Sequence, residues 1–159
     1  MSHRRRRIEL IRRGAPIGGT DTVGDNSSSS TGWLGYYVWT PILASNKGTL
    51  ISVGLNVKTA VGNIRTAIYS IANALLGESS SVAAATGWND LAISGVTIVK
   101  GTEYCLAFQA SSNSLSVYKR AASPTGFRAI KAQAYGAFPA SLAAGTLQTD
   151  LMNMRMIYA

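Results

Sequence analysis

The nine residues "TLISVGLNV" (49–57) alternate strictly. Ile51, Val53, Leu55 and Val57 fall on one side, and Ser52, Gly54 and Asn56 on the other. A period of two belongs to a strand with one buried face, because successive side chains of extended backbone point to opposite faces. The pattern returns along the chain. "NIRTAIY" sets Ile64, Thr66 and Ile68 against Arg65, Ala67 and Tyr69, and "EYCLAFQA" sets Tyr104, Leu106 and Phe108 against Glu103, Cys105 and Ala107. "LAISGVTIV" leads into the latter through "KGT", a glycine-containing hairpin loop. "WLGYYVWTPIL", "SLSVYKR" and "FRAIKAQAY" add further segments rich in β-branched and aromatic residues.

The last ten residues, "DLMNMRMIYA", put two rules in conflict. Methionine favours helices. Yet Met152, Met154, Met156 and Tyr158 alternate with Leu151, Asn153, Arg155 and Ile157, which predicts a closing strand. The methionine stripe then belongs to the core, where a flexible thioether fills irregular gaps. Only "SIANALLGES" and "ASLAAG" leave room for a helical turn.

Eight or nine short strands separated by turn residues predict an all-β fold, an antiparallel β-sandwich or jelly roll. The predicted core includes Ile51, Val53, Leu55, Ile64, Ile68, Leu106 and Phe108. At 159 residues, 47% of them hydrophobic, the chain suits one domain with a sizeable core. The division expected is a basic arm over 1–14, a Gly/Ser-rich linker or loop over 15–32, and the sandwich over 33–159.

The net charge of +8 is unevenly placed. Residues 1–14 hold Arg4, Arg5, Arg6, Arg7, Arg12 and Arg13 against one glutamate, a balance of +5 that leaves +3 for the rest. Such an arm seeks phosphates or an acidic protein surface. Its apolar stretch "IELI" is too short for a secretion signal, and no stretch approaches a membrane span. The single cysteine, Cys105, forbids an internal disulfide and reads as a small strand residue.

Catalytic constellations are thin. The only histidine is His3, in the arm, so a Ser-His-Asp system has no histidine in the body. No G-x-S-x-G, P-loop, H-E-x-x-H or Cys/His cluster occurs. Glu78, Asp90 and Glu103 are the only acids between 26 and 149, which undersupplies a glycosidase pair. Asp21, Asp25 and Asn26 offer oxygen ligands but miss EF-hand spacing, so they read as a plain loop. A non-enzyme without metal or cofactor is the expectation.

"GNIRTAIYS", "LLGES", "GWNDLAI", "VKGTEYCLAFQ" and "LSVYKR" follow one another in order. The series resembles the β-sandwich domains that recur in bacteriophage tail and fibre proteins and in bacterial surface proteins. The likeness covers about residues 48–120 and is structural rather than catalytic. It implies a rigid scaffold with loops at its ends. Tyr69 would bury its ring with its hydroxyl in water, Ser79–Ser81 would form a variable loop, and Trp88 would fold over the sandwich edge. Gly101 would set the next strand's register.

The function expected is a virion structural module: a decoration, fibre or tail-associated protein. It would be made in the host cytoplasm, anchored to other virion proteins by its arm and assembled as a homo-oligomer, with a trimer as the form expected. Two alternatives stand beside it. One is a carbohydrate-binding module stacking host-surface glycans on Trp33, Tyr36, Trp39, Trp88 or Tyr118. The other is a single-jelly-roll capsid protein whose arginine arm binds nucleic acid.

Overall fold

The computed structural model describes residues 18–121 and 128–159. The arm arginines Arg4, Arg5, Arg6, Arg7, Arg12 and Arg13 lie outside them. No helix occurs among the described residues, so none is long and apolar enough to cross a membrane. There are fifteen strands rather than eight or nine, because several expected strands are split and short edge strands are added. In chain order they are β1 (Gly19–Val23), β2 (Ser28–Ser30), β3 (Tyr36–Leu43), β4 (Gly48–Thr59), β5 (Asn63–Ser70), β6 (Leu75–Glu78), β7 (Val82–Ala83) and β8 (Gly87–Ala92). They continue as β9 (Thr97–Ile98), β10 (Glu103–Ala110), β11 (Ser116–Arg120), β12 (Arg128–Ala132), β13 (Thr146–Gln148), β14 (Leu151–Met152) and β15 (Met154–Tyr158).

The strands form two antiparallel sheets packed face to face, a β-sandwich. Sheet I runs β1-β15-β4-β11-β14, with β8 and β9 on β4 and β2 on β11; sheet II runs β13-β12-β3-β10-β5-β6, with β7 on β5. Between them lies the main core, where Val53, Leu55, Ile64, Ile68, Leu106 and Phe108 are fully buried. Met152, Met154, Met156 and Tyr158 join it from the closing strands, so alternation prevailed over methionine's helix propensity.

Ile51 departs from the expected core. Tyr158 faces Leu50 while Ile157 faces Ser52, so β4 carries one extra residue at this point. A bulge of this kind inverts the alternation. Leu50 turns inward at 2% exposure and Ile51 outward at 49%.

The stretch read as linker also differs. Residues 19–23 and 28–30 are strands, β1 along β15 and β2 along β11. Polar alternation hid them: β1, "GTDTV", shows no residue fully buried, since it edges sheet I rather than filling it.

Sheet II is buried on its outer face as well. Tyr37, Trp39, Ala67, Tyr69, Cys105, Ala107 and Ala129 form a second cluster there, covered by Phe138 and Leu142. The covering chain, residues 133–145, has no regular structure of its own and is held by specific bonds. Leu75 N–H donates to Ala140 O at 2.9 Å, Leu142 N–H to Asn73 O at 2.9 Å, and Phe138 N–H to the Glu78 carboxylate at 2.9 Å. The Tyr69 hydroxyl donates to Pro139 O at 2.8 Å rather than reaching water, and burial pushes its pKa well above the usual phenol value. Burial likewise pushes the Cys105 thiol up to about 11, as suits an unreactive packing residue. No helical turn forms in "SIANALLGES", which holds the turn after β5 and then β6, or in "ASLAAG", which lies in the covering chain.

Candidate docking surface at one pole

The aromatic candidates are dispersed. Trp33 is 4% exposed, packs edge-on against Phe108 at 5.6 Å between ring centroids, and donates its indole N–H to Ser30 O. Trp39 is 8% exposed and stacks on Tyr37 at 5.2 Å in the outer cluster. Neither presents a face to a sugar. Tyr36 is exposed on β3, whereas Trp88 and Tyr118 are half-buried on β8 and β11 of the other sheet. Trp88 does not fold over an edge. The Arg155 guanidinium sits 4.2 Å over its ring and also grips Asp90 with two bonds, at 2.8 and 2.5 Å. Gly54 makes room for that pair, since a Cβ there would lie 2.3 Å from Asp90 Oδ1. The Asp90 hydrogen bond holds the Arg155 proton more tightly than usual, overcoming burial, which works the other way.

The acidic candidates are equally scattered. Asp21 accepts from Ser45 N–H at 2.9 Å and from the Tyr158 hydroxyl at 2.6 Å. Asp25 accepts from Ser27 N–H in its own turn. Asn26 Oδ1 bridges the side-chain amides of Asn56 and Asn153. The three face different partners, and no group of three or more His, Cys, Asp or Glu side chains suited to a metal occurs among the described residues. Ser79 is no free loop residue either: its hydroxyl accepts from Thr66 N–H at 2.9 Å and is buried.

Burial alone would raise the pKa of Asp21. The bonds from Ser45 and Tyr158 outweigh it and hold the carboxyl below its ordinary 3.8. A depressed pKa adds stability above the unfolded-state value and loses it as pH falls through the folded-state value. Asp21→Asn should therefore lower the urea midpoint at pH 7, and the gap from the parent chain should shrink below pH 3.8. A gap equal at pH 7 and in acid would show that the carboxylate charge is not what matters.

What gathers at one place is a pole of the sandwich. No protein-family model and no curated protein sequence matches this chain. The described chain enters at Gly18, whose N–H donates to Lys47 O at 2.8 Å while Asn46 Nδ2 donates to Gly18 O at 3.1 Å. Ala159 is tied to Thr49 by two backbone bonds, 2.6 and 3.0 Å. Gly48 pairs with Ile98 at the end of the β4–β9 ladder, and Lys47 and Val99 follow just outside it. Here lies a groove of about 400 Å³ lined by Lys47, Gly48, Thr97, Ile98, Val99 and Lys100. Leu43 is close by, since Ala44 exchanges backbone bonds with Gly101 and Thr102.

Three ion pairs join described residues: Arg65–Glu78 at 3.2 Å, Lys119–Asp150 at 2.5 Å and Arg155–Asp90 at 2.5 Å. Lys47 and Lys100 have no ion-pair partner among the described residues. The pole was hard to find by sequence. Lys47 and Val99 stand 52 positions apart in the chain, and only the β4–β9 pairing joins them.

Proposed function

We propose that this chain is a non-enzymatic structural module of a virion, held to a neighbouring protein through its basic arm and the pole that carries Lys47 and Lys100. One observation supports the reading above others. Gly18, the first described residue, is bonded to Lys47, so the described chain begins at the end that carries Lys47 and Lys100. β4 and β10 both run from this end, and the loops around Gly62 and Ser111–Asn113 lie at the other. An anchored pole thus leaves the opposite loops free to project, the arrangement expected of a decoration or fibre module.

Assembly of copies belongs to the same reading. Leu43 and Leu147 are 62% and 66% exposed. Apolar area left open to this extent marks interfaces, and a closed symmetric oligomer, with a trimer as the form proposed, would cover it. Sedimentation at micromolar concentration should give a discrete species well above the 16.7 kDa chain mass. A glycan array and an oligonucleotide column should retain none of it. A single species at 16.7 kDa, unchanged on concentrating, would end the oligomer reading. Glycan binding lost on Trp88→Ala would replace the structural role with a lectin one.

A further inference from the structure

We propose that the groove between Lys47–Gly48 and Thr97–Lys100 seats an apolar side chain of a partner protein, presented between acidic residues. The inference rests on the anchoring role above and names what the anchor grips. Its surface is apolar: Val99 stands 52% exposed on it, and Ile98, buried at 1% exposure, backs it from the core side. Its border is cationic, with Lys47 and Lys100 and no acid in the lining. A side chain the size of leucine buries well on such a surface, and carboxylates beside it meet the two ammonium groups.

Other occupants fit less well. The chain's own arm carries six arginines within fourteen positions of Gly18, and they share the lysines' sign. Nucleic acid would satisfy the lysines but gain little from an apolar surface, since phosphate contacts dominate its binding. The groove is built into the scaffold rather than borrowed from a loose loop. Val99 N–H donates to the Tyr104 hydroxyl at 3.0 Å, Leu50 N–H to Val96 O at 2.8 Å, and Gly48 packs so closely that a Cβ would lie 2.7 Å from Ala159 O.

The test uses the full chain, isotope-labelled for amide spectra, titrated with a synthetic peptide of one leucine flanked by aspartates. Amides of Lys47, Gly48 and Thr97–Lys100 should shift together. Replacing the leucine by serine, or the aspartates by lysines, should weaken binding by about tenfold or more, the loss of one buried apolar side chain or of the charge match. Val99→Asp and Lys47→Glu should abolish the shifts, while Lys58→Glu, on an exposed cation bonded to Ser29 elsewhere, should leave them intact. A native circular dichroism spectrum for each variant keeps the comparison valid; Val99 is exposed enough for this to be expected. Shifts absent with the peptide, equal for the leucine-free form, or stronger with an oligothymidylate or phosphatidylglycerol vesicles would each overturn the proposal. Peptide binding by a chain that stays monomeric would keep the groove and discard the oligomer. An oligomer without peptide binding would do the reverse.

Discussion

Phe108→Ala should lower stability by about 3–5 kcal/mol, the cost of deleting a fully buried ring whose surroundings cannot collapse. Phe108 is 0% exposed, and β10 that carries it is clamped by β3 on one side and β5 on the other. Its ring also holds Trp33 edge-on, so the substitution loosens the loop before β3 as well as the core. For a chain of this size the thermal midpoint should fall by roughly 6–20 °C. Calorimetry on the purified variant reads it directly. A fall of less than 3 °C would mean that the site relaxes and that the core is looser than its burial implies.

The second large effect is expected where sequence reading placed a linker. Gly24 has φ +74°, and a Cβ there would lie 2.4 Å from Met152 O and 2.9 Å from Asn153 Cα. Both obstacles are backbone. Gly24→Ala therefore combines left-handed strain, about 1–2 kcal/mol, with overpacking against rigid neighbours, about 1–3 kcal/mol. Gly95 separates the two terms: its φ is +78°, but a Cβ there meets nothing within 4 Å. Gly95→Ala should lose only the strain. Denaturant midpoints for the two variants should differ clearly, with Gly24→Ala the lower. Equal losses would mean that β1 and its turn shift freely and that residues 18–32 are linker after all.

That pair of glycines shows where sequence reasoning ran out. Alternation located the inner faces of β5, β10 and β15 because the residues facing the other sheet are large and mostly apolar, from Ile64 to Ile68, Tyr104 to Phe108, and Met154 to Tyr158. It failed at Ile51 because a bulge is set by the partner strand, and the β4 sequence carries no mark of it. It missed β1 because an edge strand with exposed threonines has no apolar period to detect. It treated Trp33 and Trp39 as surface candidates because an aromatic residue alone carries no indication of which face it turns to. The docking groove was illegible for a similar reason, since its two walls come from segments that only sheet pairing unites. The arm's charge, by contrast, was plain from the residues.

The burial of sheet II on both faces distributes the three tryptophans by depth. Trp33 lies between the sheets, Trp39 lies under the covering chain outside sheet II, and Trp88 lies on the far side of sheet I beneath Arg155. Each ring therefore senses a different boundary. In single-tryptophan variants, Trp39 emission would shift red when residues 133–145 lift away, while Trp33 stayed blue until the sheets part. Trp88 emission would respond to salt through the Arg155–Asp90 pair before either of the others moved. The fold thus carries its own set of optical depth gauges, and the order in which they change under denaturant would give the order in which the layers come apart.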